Sequence, residues 1–504
     1  MSEVVLVKQG VRRTLRSGGI ALVMLMIACN PSAAPAPKQD AVPKKVEETE
    51  SKQAVLKRDA ATSLGALAEY VAEEHLSGED KADWLNYAAH VFALSKDQER
   101  AKSLFKRAQW ARHDDYNIPL PAEVGYVEES LAAVEKMKNA GDKKRAMARI
   151  IPAALAFGKK SLVESKFNML SPAEKLDAMI SASKRCFSLG NMACAKQYFE
   201  EAATVGKSVL TQSASNTRQK ELAMIAIDVG AMDAHPWLFD NLHPLSVVEV
   251  IEHAVVKEQV SFGENLLKKL KRNNYETVAA LTLLAGKYHE SGDLKKFDSA
   301  YGQAAKKVSA IREKCRFADA VGMLAGLDRL KGADQQKEAR IAEILQIIQQ
   351  GVHFGSGFDC HAAEEPFRRL AHGGICDVQV ANANLLPDWK SESALMAGAG
   401  AACIQNGDLK NGAAIFEKAD ELEKTKNGGV YSSDVFRAWL NLGEFEKARQ
   451  YLTVNHIDPL HKDVMFVISG FVHRFIRQDG FAPQSEKTKA LTSMLYSFFA
   501  KSND

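Results

Sequence analysis

The chain has 504 residues, 46% of them apolar, which is enough for a large core, and its formal charge is only +3. Four of its 66 basic residues and one of its 63 acidic ones fall in the first 28 positions, so the remainder holds 62 of each and is neutral. That balance argues against the clustered basic surface of a nucleic-acid binder, and no nucleic-acid partner is expected.

Arg12, Arg13 and Arg16 precede an apolar run, Gly18 to Ala28, of eleven residues. Such a run is too short to span a bilayer but suits the hydrophobic region of an export signal. Met26-Ile27-Ala28-Cys29 resembles the lipobox of bacterial lipoproteins. The resemblance implies removal of residues 1–28 and lipidation of Cys29, with Asn30 in place of an inner-membrane-retaining Asp. It therefore implies an outer-membrane lipoprotein facing the periplasm or the cell surface. The alternatives are an ordinary signal cut near Ala33-Ala34, giving a soluble periplasmic or secreted protein, and a buried first helix. Residues 29–54 hold four prolines, mixed charge and few large apolar side chains, the composition of a flexible tether.

From residue 55 the pattern is helical. Leu85, Ala88, Ala89 and Phe92, then Ala101, Phe105 and Ala108, form two apolar stripes either side of Lys96. Gly141 is read as the next turn, although Pro152 falls inside the helix that should follow it. Ser171-Pro172-Ala173-Glu174 has the capping serine, early proline and third-position glutamate of a helix start, and it opens a hairpin turning at Gly190. The stretch from Val229 to Pro244 contains two His-Pro pairs and reads as a bend. Its Trp237 and Phe239 are candidate anchors for a partner, against a reading in which they fill a packing gap. Glu258 takes another turn.

The clearest hairpin runs from Tyr275 to Ala304. Leu281, Leu284, Ala285 and Tyr288 share one stripe, Ser291-Gly292-Asp293 reverses the chain, and Leu294, Phe297, Tyr301 and Ala304 form the second stripe. This order of residues resembles the tetratricopeptide repeat, a helix-turn-helix unit of 34 residues. Related registers turn at positions 96, 141, 190, 258, 292, 407 and 443. The resemblance implies an all-α solenoid of irregular hairpins, about seven to ten pairs in all, whose surface binds a protein or peptide. The expected layout is one array over 55–350, an irregular insertion over 351–390, and further repeats with capping helices over 391–504.

The insertion concentrates Cys360, His361, His372 and Cys376. In an exported chain a Cys360–Cys376 disulfide is expected, with free or otherwise paired cysteines as the alternative and a zinc site on those four residues as the weaker one. Cys186 and Cys194 flank the Gly190 turn and are candidates to bridge its helices, against a reading in which Cys186, like Cys403, is a small core residue in the aromatic slot of its helix. Six cysteines other than Cys29 leave fifteen pairings open. Near the C-terminus, Phe466, Ile468, Phe471, Val472 and Ile476, then Leu491, Met494, Leu495, Phe498 and Phe499, are more apolar than one inner face requires. They are read as a cap for the solenoid or as a docking face.

No nucleophile elbow, phosphate loop, zinc-protease His pair or dinucleotide fingerprint occurs in the sequence. No enzymatic activity and no cofactor are expected. The reading is of a membrane-tethered scaffold that binds a protein or peptide in envelope assembly or secretion. The alternatives are a metal- or thiol-dependent module centred on 351–389 and a purely structural periplasmic spacer.

Overall fold

A computed structural model describes residues 55, 58–111, 120–210, 216–270, 274–349, 369–377, 389–427, 432–477 and 482–499. The signal region, Cys29 and the tether lie outside them. The described residues belong to one compact unit, Ser51–Asp504. They are helical throughout with no strand among them, and the fold is an all-α solenoid of stacked hairpins. None of these helices is long and apolar enough to cross a membrane.

In chain order the helices are α1 (Leu64–His75), α2 (Gly78–Leu94), α3 (Gln98–Ala111), α4 (Val127–Glu135), α5 (Ala140–Ala156), α6 (Lys160–Asn168), α7 (Pro172–Ser188), α8 (Met192–Val209) and α9 (Asn216–Asp228). There follow α10 (Pro244–Val256), α11 (Val260–Leu267), α12 (Asn274–Ser291), α13 (Leu294–Val308), α14 (Lys314–Lys331) and α15 (Asp334–Gln349). The last six are α16 (Trp389–Gln405), α17 (Leu409–Asn427), α18 (Ser433–Leu442), α19 (Phe445–Val454), α20 (Lys462–Ile476) and α21 (Glu486–Phe499). Single 3₁₀ turns at Ala122–Val124 and Pro236–Phe239 interrupt the series.

One local device repeats. A residue with positive φ ends a helix, and the residue after it donates its N–H to the carbonyl five positions back. The bond pairs Asp97 with Phe92, Asn191 with Cys186, Asp293 with Tyr288, Asp408 with Cys403 and Glu444 with Trp439, at 2.8–3.1 Å. It satisfies a helix-end carbonyl and turns the chain back in one step. Asp97, Asn191, Asp293 and Asp408 then cap the next helix, each side chain accepting the N–H three residues on.

Among the described residues the positive-φ stops with this bond are Lys96, Gly158, Gly190, Gly230, Glu258, Gly292, Gly332, Gly374, Gly407, Gly443 and His456. Six of the seven turns read from the sequence are there, and Gly141 is not. It lies in the first turn of α5, where Asn139 accepts its N–H at 2.8 Å. The helix read as the second of that hairpin is the first, and Gly158 reverses it. Pro152 is accommodated inside α5.

Two hydrophobic cores form, and their membership departs from the expected layout. One holds residues from Ala122 to Ile375. The other joins Ala60–Leu120 to Ala371–Phe499, so the first three helices share a core with the last six rather than with the array that follows them. Residues 369–377 fall within the expected insertion, most of which lies outside the described residues. They form a helix end with a Gly374 turn, and they lie between the two cores: Leu370 and Ile375 in one, Ala371 and Cys376 in the other. Arg369 Nε donates to Asp319 at 2.9 Å, and Asn406 Nδ2 donates to the Ala371 carbonyl at 3.1 Å.

At the other junction α21 packs on α1 and α20 on α2. His75 Nε2 donates to the Phe499 carbonyl at 2.9 Å, and the rings of Trp84 and Phe499 meet edge to face with centroids 6.0 Å apart. The packing therefore runs in a closed circuit. The C-terminal apolar stripes are covered from within the chain, which corrects their reading as an open docking face. Phe466 is the exception at 75% exposure.

Candidate functional site

Of the residues singled out in the sequence, Phe239 is buried and meets Phe262 edge to face at 4.8 Å. Trp237 is half-buried against the first core and overlies Gly206. Both fill the bend. Cys186 is bonded to Cys194 across the Gly190 turn, with Cα atoms 5.6 Å apart. Cys376 is bonded to Cys403, not to Cys360 as expected; the helix end at 369–377 lays Cys376 against α16, with a Cα separation of 6.0 Å. A disulfide sulfur is no thiolate, so the four-residue zinc set loses Cys376. His372 is exposed, Cys360 and His361 lie outside the described residues, and no metal-holding group of His, Cys, Asp or Glu occurs among those described.

The feature the sequence did not reveal is the seam where the first and last described helices meet. Between α2 and α20 lies a groove of about 590 Å³. Its α2 wall carries Asp80, Asp83, Trp84 and Tyr87, four successive contributions from one helical face. Its α20 wall carries Lys462, Met465, Phe466, Ser469 and His473. Tyr87 Oη and Ser469 Oγ are hydrogen-bonded at 3.2 Å across the floor, and the Tyr87 and His473 rings meet edge to face. The groove is thus of mixed lining, with Trp84, Met465 and the exposed ring of Phe466 as its large apolar groups, Asp80 and Asp83 on the α2 side and Lys462 on the other.

Behind the groove is a buried electrostatic cluster. Glu123, in the 3₁₀ turn, keeps 4% of its side chain exposed. Its Oε1 accepts from Arg149 Nη2 of α5 at 2.7 Å and its Oε2 from Arg477 just past α20, while Arg185 Nη2 of α7 stands 3.8 Å from Oε2. Burial alone would raise this carboxyl, but Arg477, then Arg149 and Arg185, outweigh it and hold it below the usual range. Arg477 Nη1 donates to His473 Nε2 at 2.9 Å. Burial, with Arg477 adding to it, pushes His473 down to about 4, and burial pushes the enclosed His90 of α2 down to about 4 as well. Both rings are neutral at neutral pH.

No protein-family model matches the chain, and no curated protein matches it in sequence. Among solved structures, one described as a circular tandem repeat protein with novel repeat topology and enhanced subunit contact surfaces aligns over 84% of this chain and 97% of its own. The identity is 14% and the TM-score 0.17. At that score the likeness carries no weight, and the solenoid rests on the helices described above.

Proposed function

We propose that the chain is a lipid-tethered, exported scaffold of tetratricopeptide-like hairpins that binds a protein or peptide partner in the groove between α2 and α20. The observation that carries this reading is Phe466. Ile468, Phe471, Val472 and Ile476 of the same helix are buried, yet Phe466 is 75% exposed in the lining of a groove that also holds Trp84 and Met465. An aromatic ring beside a recess is the usual form of an interface anchor. Asp80 and Asp83 on the opposite wall favour a partner segment with a basic residue next to its apolar one. The address rests on the sequence alone, on the basic and apolar run before Cys29 and the proline-rich residues after it. A role in envelope assembly or secretion is the part of this reading that rests on the repeat resemblance alone.

Two experiments test this. In membranes, photo-crosslinking from a reactive residue placed at Lys462, on the same wall of the groove, should capture a discrete partner, and adding Phe466→Glu should abolish capture. Val256→Glu is the control, since Val256 is 70% exposed elsewhere on the surface and should change nothing. Equal capture by wild type and Phe466→Glu would refute the groove, and failure to capture any partner would favour a structural spacer. Labelling with an alkynyl fatty acid should mark the wild type but not Cys29→Ser; an unlabelled wild type would remove the anchor and leave the groove standing.

A further inference from the structure

The positive-φ stops gather along one edge of the fold. Helices α5, α7, α9, α10, α12 and α14 each end at such a stop and pack on one another in that order, and α16, α18, α20 and α2 pack in the same way. Between neighbours the chain runs back once, so these helices are parallel and their stops lie side by side. Lys257 bridges three of them, its Nζ 2.8 Å from Asp228 Oδ1 and 4.8 Å from the centroid of the Phe187 ring. Only Leu76 and Ser77 join α1 to α2, and the two pack antiparallel. Leu64, where the chain enters α1, is therefore at the stop edge, and His75 meets Phe499 at the far edge.

Six of the stops have a large apolar side chain within two residues, Leu94, Leu189, Val256, Leu294, Leu330 and Leu409, with exposures of 37–70%. Exposed apolar residues scattered singly need no explanation, but one per turn along a single edge makes a row. Lysines accompany it. Lys96, Lys295 and Lys410 lie within two positions of Leu94, Leu294 and Leu409, are exposed, and have no ion-pair partner among the described residues.

We propose that the stop edge rests on an anionic phospholipid surface, with the groove between α2 and α20 turned away from it. Leucine beside lysine suits a headgroup boundary, where the apolar chain enters and the ammonium stays with the phosphates. The occupant is a bilayer because residues 29–54, tethered to lipid in the function proposed above, lead into α1 at this edge. The groove lining begins at Leu76 and Leu460, just before α2 and α20, so a partner reaches it from the far side. The orientation rests on that tethered reading. The anchor holds the chain whichever way it turns, so Val256→Glu still leaves capture at the groove unchanged.

The test is photo-crosslinking of the full chain in its own membranes, from diazirine residues at Leu294 and Leu409 on the stop edge. The comparison positions are Met169 and Val454, 80% and 74% exposed, where the returning helices α6 and α19 end at the far edge. Phospholipid adducts, read from the mass of the labelled peptide, are expected at the first pair and not at the second. Lys295→Glu combined with Lys410→Glu should lower them by about tenfold or more, since two cations are reversed near an anionic surface. Adducts at all four positions, at none, or only to protein at the first pair overturn the proposal, as does a double variant that labels like the wild type. Fatty-acid labelling of Cys29 reads the anchor separately. A labelled wild type without phospholipid adducts refutes the orientation and keeps the anchor, whereas an unlabelled wild type with adducts refutes the anchor and keeps the edge.

Discussion

His90 shows what burial does to one side chain at the seam. Enclosed in α2, it faces the carboxylate of Glu123 and the charges of Arg477 and Arg185, with His473 beyond, and its folded pKa is about 4 against an ordinary 6.5. The folded state therefore binds fewer protons than the unfolded chain between those values, so stability is full above about pH 6.5 and falls as pH drops toward 4. His473 acts in the same direction, with the smaller share because it is partly solvated. Below about pH 4.5 the protonation of Glu123, whose folded pKa is depressed, removes stability in turn. Melting temperature measured from pH 7 to pH 4 should fall steeply, and His90→Leu, apolar and of similar volume, should flatten the upper part of that fall. An unchanged slope in the variant would place the acid sensitivity elsewhere.

At the level of the hairpin, the sequence was legible where geometry is local. A residue with positive φ followed by Asp or Asn needs only its own neighbours to end one helix and cap the next, so Gly190, Gly292 and Gly407 could be read directly. Gly141 misled because glycine also sits easily in a helix's first turn, and a glycine marks a reversal only where φ is positive. Lys96 and Glu258 hold that conformation without being glycine, at φ 66° and 61°. Lys96→Gly should therefore stabilise the fold by about 1 kcal/mol in denaturant unfolding, the strain an L side chain bears there. Gly412→Ala should do the opposite. A methyl at that position would meet the Gly400 carbonyl at 2.9 Å and Ile404 at 2.5 Å, between α16 and α17. Two backbones cannot both give way, and a loss of about 1–3 kcal/mol is expected. If Gly412→Ala unfolds at the wild-type midpoint, the two helices are not so closely apposed.

Across the whole molecule, what the sequence hid was the choice of partner for each apolar face. The stripes on α20 and α21 were visible, but periodicity says that a face is buried and not against what, and α1 and α2 lie some 400 positions away in the numbering. The Cys376–Cys403 bond and the groove were hidden for the same reason. Closure has an energetic consequence that separates it from an open array. In an open solenoid each hairpin is stabilised by its immediate neighbours, so damage at the last helix spreads only backward along the chain. Here Phe499 is fully buried against Trp84, and α21 touches both α1 and α19. Phe499→Ala opens a cavity worth roughly 3–5 kcal/mol at that contact. Hydrogen exchange should then quicken in α1 and α2, by about a hundredfold or more where local opening dominates, as well as in α19. Loss of protection confined to α19 and α21, with α1 and α2 unchanged, would show that the two ends do not support each other and that the circuit is open in solution.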